Sequence, residues 1–141
     1  MSAKWLRRDQ GFTLLELLVA LTIISLLVGV AVPQVLRYLD RAKYETAKIE
    51  IANIGGAIDL FKLDVNRFPT SEEGLKVLSV GAGSTVGWNG PYLKKSSALL
   101  DPWGRPYRYT SPGKHGAYDL YTLGADDAEG GDGVNRDATN W

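Results

Sequence analysis

Residues 12–32, FTLLELLVALTIISLLVGVAV, form an apolar run interrupted by a single ionisable group, Glu16. Wound into a helix at about 1.5 Å per residue, the run is about 31 Å long, which matches the thickness of a hydrocarbon core. It therefore has the length to span a membrane. A carboxylate at a bilayer centre costs about 2.5–3.5 kcal/mol on insertion scales, but Glu16 stands near one end of the run, within reach of the interface or of a partner. Ahead of Gly11 lies the basic head MSAKWLRRDQ, in which Lys4, Arg7 and Arg8 oppose Asp9 alone. Retained basic residues place that end in the cytoplasm.

Roughly 100 of the 141 residues lie beyond the run, enough for one domain with a modest core. Lys plus Arg and Asp plus Glu are equal at 16 each, so no global field draws nucleic acid or concentrates an anionic substrate. Cysteine is absent, and stability must come from packing or a metal rather than from disulfides. The one histidine, His115, excludes sites built on two imidazoles. Ser111, His115 and Asp119 can be drawn as a triad, yet no nucleophile elbow or oxyanion-hole motif accompanies them. A lone histidine in a Ser-Pro-Gly turn reads as structural, and the chain as no enzyme.

Pro33 is expected to end or kink the apolar helix, because it lacks an N–H and crowds the preceding turn. Helical periodicity then resumes: Tyr44, Ala47, Ile51, Ile54, Ile58, Phe61 and Val65 recur at intervals of three and four, with most charges off that stripe. Gly55-Gly56 in its middle points to a close approach to the backbone or a local loosening. The helix should stop near Asp64-Val65-Asn66, ahead of Pro69. Thr70 and Glu73 form a capping box before a short second helix. Val80 to Tyr92 is glycine-rich and reads as an exposed loop tied down by Trp88 and Tyr92. After a turn at residues 101–104, Pro106–Thr110 and Ala117–Leu123 suggest the two strands of a hairpin. The order implies an α+β domain, with a small antiparallel sheet covering the helix's apolar stripe.

The head admits three readings. A secretory signal has a shorter apolar stretch followed by a small-residue cleavage site, and neither is present here. A plain anchor fits the length but leaves Glu16 without a reason. The residues RRDQGFTLLELLVA at positions 7–20 resemble the class III signal of type IV pilins and type II secretion pseudopilins, in which the cut precedes the apolar helix. The resemblance places it between Gly11 and Phe12, with the new amine of Phe12 N-methylated. That amine stands at the i, i+4 spacing from Glu16. A carboxylate there also suits its own helix dipole, whereas the family implies pairing with a neighbouring subunit's amine, an assembly contact that sets axial register.

Further strings, RFPTSEEGLKVL, GPYLKK, DPWGRPYRYTSPGKHG and DLYTLGADD, extend the resemblance along nearly the whole chain to the major pseudopilins of type II secretion, within the type IV pilin-like superfamily. This implies a leader at 1–11, a transmembrane and assembly helix at 12–32, and a periplasmic domain at 33–141. It implies a structural subunit whose homopolymer, a short periplasmic pseudopilus, drives export of folded proteins across the outer membrane. Its partners would be minor pseudopilins, a prepilin peptidase and N-methyltransferase, an inner-membrane assembly platform and membrane lipid. A type IV pilin and a membrane-anchored calcium-binding protein are the alternatives.

The tail 123–141, LGADDAEGGDGVNRDATNW, gathers Asp126, Asp127, Glu129, Asp132 and Asp137 among glycines. Oxygen donors of this kind suit Ca²⁺, although the EF-hand spacing is missing and a solvated acidic loop has the same composition. The resemblance implies a calcium site here, carried onto the Leu123 carbonyl and the carboxylates of Asp126 and Asp137. Arg136 stands where an oxygen donor would be expected, which leaves Asn135, Asp132 or the Val134 carbonyl to complete the shell.

Overall fold

The structure, a computed structural model, describes residues 11–81 and 85–141. Its elements in chain order are α1 (Leu14–Val65), α2 (Val77–Val80), a 3₁₀ turn at Ser96–Leu99, β1 (Arg108–Thr110), β2 (Asp119–Thr122), a second 3₁₀ turn at Gly133–Asn135, and β3 (Ala138–Thr139). The chain divides between Tyr38 and Leu39 into two compact units.

In the first unit every described residue is exposed, and the apolar side chains face outward all round the helix. Its most apolar 18-residue window has a mean hydropathy of 2.6, and it is the one described helix long and apolar enough to cross a membrane. The Thr22 and Ser25 hydroxyls donate to the Leu18 and Leu21 carbonyls, both at 2.8 Å, which satisfies them within the helix. Such back-bonding suits a surrounding without water. Of the two outcomes expected at Pro33, an end or a kink, the structure excludes the first: α1 runs through it. Proline removes one N–H and crowds the carbonyl four residues earlier, a local cost that the helix on either side of it absorbs.

In the second unit the 3.6-residue stripe is the buried face. Ala47, Ile51, Ile54, Ile58 and Phe61 are buried together with Ala57, while Tyr44 and Val65 flank them half-buried. Leu75, Leu78, Tyr107, Leu120 and Ala138 close over this face. Gly55 is where another element approaches, since a Cβ there would lie 3.2 Å from Tyr118 Oη, whereas Gly56 faces open space. The helix ends as the sequence indicated. Asn66 takes φ 59° and its N–H donates to the Lys62 carbonyl at 2.8 Å, the left-handed cap that asparagine tolerates.

The Thr70–Glu73 capping box is closed from both sides: Thr70 N–H donates to Glu73 Oε2 at 2.8 Å and Glu73 N–H to Thr70 Oγ1 at 3.2 Å. Turns follow, and the helix itself, α2, is a single turn. Arg67 grips the same carboxylate with both guanidinium nitrogens at 2.7 Å. Those hydrogen bonds outweigh burial and hold the Glu73 carboxyl down to about 2. A depressed carboxyl contributes stability that is complete above the unfolded value of about 4.3 and is lost as pH falls through its folded value. Glu73→Gln is therefore expected to flatten the acid limb of the unfolding curve followed by circular dichroism; an unchanged limb would refute the assignment.

The loop after α2 is tied down as read from the sequence. Trp88 Nε1 donates to the Val77 carbonyl at 3.0 Å and Tyr92 Oη to Asp64 Oδ2 at 2.7 Å. The predicted strands are shorter in the structure. β1 loses Pro106, which has no N–H for a ladder and makes only an isolated bridge to Leu100. β2 keeps Asp119–Thr122 of the longer expected stretch. The sheet also has a third strand, order β1-β2-β3, all antiparallel, with Tyr109 opposite Leu120 and Thr122 opposite Ala138. Past β3, Asn140 continues the pairing with its side chain. Its Oδ1 accepts the Leu120 N–H at 2.8 Å, its Nδ2 donates to the Tyr118 carbonyl at 3.2 Å, and its own N–H donates to the Leu120 carbonyl at 3.0 Å.

Candidate functional site

Two places carry residues whose chemistry the fold does not consume, the start of α1 and the loop between β2 and β3. The basic head, residues 1–10, lies outside the described residues. Gly11 and Phe12 are exposed ahead of the helix, and a Cβ on Gly11 would meet nothing within 4 Å. Helix α1 starts where it does because Thr13 caps it: Thr13 Oγ1 accepts the Glu16 N–H at 3.1 Å and its carbonyl accepts the Leu17 N–H at 3.1 Å. Thr13-Leu-Leu-Glu16 is thus a capping-box sequence, the same T-x-x-E pattern as Thr70 to Glu73. The sequence reading passed over Thr13 although the pattern was there to find.

The two boxes differ in one respect. At Thr70 the glutamate reaches back to the cap's N–H, whereas Glu16 makes no such bond, and its carboxylate has no hydrogen bond or ion pair among the described residues. An acid at this end of the helix also meets the positive end of the dipole. Among the described residues the Glu16 carboxylate is thus left without a partner.

The loop after β2 leaves from Leu123, which is buried. Its neck is closed by Ala125 N–H donating to the Val134 carbonyl at 2.9 Å, and Asn135 N–H donates to the Asp132 carbonyl at 3.2 Å. Gly124, at φ 65°, permits the closure: a Cβ there would lie 2.7 Å from the Asn135 carbonyl oxygen. Asp137 points back into the loop. Its Oδ2 accepts the Gly130 N–H at 2.9 Å, while its Oδ1 is buried with no hydrogen-bond partner. Asp126 and Asp132 are exposed, and Asp126 Oδ1 accepts the Ala128 N–H at 3.3 Å.

Leu123, Val134 and Asn135 are thus brought to one neck and Asp137 to the loop interior. Among the described residues no three His, Cys, Asp or Glu side chains come together around one point. A cation held here would draw on two carboxylates and on backbone carbonyls, a donor set that suits Ca²⁺ and not a transition metal. Val134 and Asp132 already give their carbonyls to N–H donors. Each retains one lone pair.

One side of the loop rests on an arginine the sequence reading did not single out. Asp101 is 5 % exposed, and its Oδ1 accepts the N–H groups of Trp103 at 3.0 Å and Arg105 at 2.8 Å, while Oδ2 accepts the Thr122 hydroxyl at 2.5 Å. The buried Arg105 Nε faces Asp101 Oδ2 at 3.5 Å, an ion-pair distance without hydrogen-bond geometry. From that base the guanidinium reaches the loop. Nη2 donates to the Gly124 carbonyl, and Nη1 lies 3.5 Å from Asp127 Oδ1. Arg108 Nη2 meets the same Asp127 oxygen at 3.1 Å. The D-P-W-G-R string, an aspartate two residues before a turn amide, was the signal for a side chain folded onto its own backbone.

His115 and Asp119 do meet, with Nδ1 and Oδ2 3.1 Å apart. Burial pushes the Asp119 carboxyl up, but the Lys114 and His115 N–H groups and the imidazole outweigh it and hold it below the usual range. The third member of the imagined triad is engaged elsewhere: the Ser111 hydroxyl donates to the Ala117 carbonyl at 3.4 Å. The imidazole instead stacks on Trp141, with centroids 4.0 Å apart and planes 8° apart. It is a packing element.

Residues 34–141 match the family described as "Type II secretion system (T2SS), protein G", and residues 6–32 match the "Prokaryotic N-terminal methylation motif". The chain is 42% identical over 139 residues to the type II secretion system core protein G of Pseudomonas aeruginosa, covering 96% of each. It is 38% identical over 141 residues to the protein of the same name from Vibrio cholerae, covering 98% of this chain and 95% of that one. Its structure is similar to the crystal structure of the major pseudopilin from the type 2 secretion system of enterohaemorrhagic Escherichia coli, with a TM-score of 0.61 and 25% identity, over 74% of this chain and 87% of that one.

Proposed function

The chain belongs to the type II secretion system protein G family, and from that premise we propose how its two ends serve a pseudopilus. It is a structural subunit of that filament, not an enzyme. A prepilin peptidase cuts between Gly11 and Phe12, and Phe12 is methylated on its new amine. The apolar part of α1 then stays with the subunit as inner-membrane anchor and assembly helix, with the head in the cytoplasm and residues 33–141 in the periplasm. The basic head, the exposed apolar helix and the methylation motif support this order.

The observation that carries the reading is the Glu16 carboxylate, without a partner among the described residues, in a stretch at 12–32 that is otherwise free of ionisable groups and whose Thr22 and Ser25 hydroxyls bond within the helix. An unpaired charge in low dielectric is costly, and a neighbour's Phe12 amine removes that cost at a fixed axial offset. Subunits drawn from the membrane at an inner-membrane platform, with minor pseudopilins among them, would then stack in register. A lengthening filament of this kind drives folded proteins across the outer membrane. The mature N-terminus read by mass spectrometry tests the whole reading: a chain retaining Met1 in the assembled filament overturns it.

The β2–β3 loop fits calcium. A buried carboxylate oxygen without a partner, Asp137 Oδ1, is an unfavourable arrangement unless a cation shares it. The Leu123 carbonyl, Asp126 and Asp137 would hold the ion, completed by Asn135, Asp132 or the Val134 carbonyl. Bound there, Ca²⁺ supplies neutralisation of the loop's acids and a tie between its two arms, in a chain that has no disulfide. With a dissociation constant of roughly 10⁻⁴–10⁻³ M, free calcium at about ten times that value stabilises by about 1.4 kcal/mol, several degrees of melting temperature for a domain near 100 residues. Asp137→Ala is expected to abolish that increment in the detergent-solubilised chain and leave the melting temperature in chelator nearly unchanged, since the orphaned oxygen goes with it. Magnesium is expected to do less. A melting curve indifferent to chelator rules the calcium reading out.

A further inference from the structure

We infer that Arg105 is a positioning residue for the calcium loop, holding the first arm of the loop in the shape that presents its donors. The inference rests on the calcium reading above. Its ground is the way one side chain touches the neighbours of both donors in that arm. Nη2 holds the carbonyl of Gly124, the residue after Leu123, and Nη1 faces Asp127, the residue after Asp126. Asp127 has φ 56°, a left-handed conformation unusual for a non-glycine residue, and it is the residue that Arg105 and Arg108 both hold.

Arg105 is itself fixed. Its backbone N–H is taken by the buried Asp101, whose other oxygen binds Thr122 in β2, the strand that leads into Leu123. The chain from core to donor is therefore Asp101 to Arg105 to Gly124, with Thr122 cross-bracing it. Both arginines also pair with Asp127, which withdraws that carboxylate from competition for an ion. A guanidinium fork is suited to this because it is planar, always charged and able to serve a carbonyl and a carboxylate at once.

Charge and geometry predict opposite signs, and that makes the inference testable. By Coulomb's law alone a cation beside the loop repels calcium, so removing it should tighten binding. If Arg105 positions the donors, removing it should loosen binding despite the more favourable field. Calcium titration of the full chain in detergent by isothermal calorimetry, with sensitised terbium luminescence as a second readout of the same loop, separates the two. Arg105→Met is expected to weaken calcium binding about 10- to 100-fold, the usual effect of losing an outer-shell partner. Arg108→Met, which removes the same charge from the same Asp127 oxygen but leaves Gly124 held, is expected to change it less than about threefold.

Arg105→Lys keeps the charge and one donor, and is expected to fall between the two; it serves as the folded comparison should the methionine variant unfold. Binding by Arg105→Met or Arg105→Lys as tight as wild type, or tighter, overturns the inference, as does an equal loss in Arg108→Met. A wild-type chain that binds no calcium overturns the calcium reading and this inference with it, a result distinct from wild type that binds and variants that bind alike.

Discussion

Glu16→Leu is expected to insert into the membrane as well as wild type or better, to be cut normally, and to form almost no filaments. The two halves of this result have opposite physical origins. Insertion improves because a carboxylate, which costs about 2.5–3.5 kcal/mol at a bilayer centre and less near the end where Glu16 stands, is replaced by a residue that gains on transfer. Assembly fails because the leucine leaves a neighbour's Phe12 ammonium buried and unpaired, a defect of about 3–5 kcal/mol per contact, more than a hundredfold in an association constant. The helix itself should not suffer. Its start is capped by Thr13 through the backbone N–H of residue 16, which leucine retains. Filament yield after shearing, set against the amount of processed subunit in the membrane, is the measurement. Normal filaments from this variant would leave Glu16 with no role beyond its own helix dipole.

Gly11→Val is expected to accumulate entirely as the uncut form, starting at Met1, in the inner membrane and outside any filament. The chain's own structure offers no reason for such a loss, because a Cβ on Gly11 meets nothing within 4 Å. Any failure must then arise in the peptidase, where the bond after Gly11 has to lie against a surface that leaves no space for a branched side chain. Without the cut there is no Phe12 amine, and the partner of Glu16 does not exist. The two variants therefore fail assembly from opposite ends of one contact, and N-terminal sequencing tells them apart. Efficient cleavage of Gly11→Val before Phe12 would show that the motif is being read by something other than this glycine.

What the sequence made legible was whatever repeats or reciprocates. The stripe from Tyr44 to Val65 places seven residues at helical spacing, and burial follows it, complete at the five from Ala47 to Phe61 and partial at the two ends. Thr70 and Glu73 name each other. Pro33 left an end or a kink open, because proline penalises a helix by a local amount that the helical residues on either side can outweigh, and α1 continues through it. β3 was hidden for a different reason. Two residues have no period, and the strand exists because Asn140 completes its pairing with a side-chain amide, a role indistinguishable in sequence from a polar residue in a polar tail. In the loop the composition left a cation site and a solvated acidic segment equally open, and Arg105, nearly twenty residues earlier, is joined to it only by the fold.

The way Asn140 finishes the sheet has a consequence for a protein that exists in many copies side by side. A sheet of three strands, of three, four and two residues, offers almost no run of unsatisfied amides and carbonyls along its rim. Where β2 runs on past β3, at Leu120 and Tyr118, the side-chain amide of Asn140 occupies the positions that a foreign strand would seek. Crowding such chains does not template cross-β association between them.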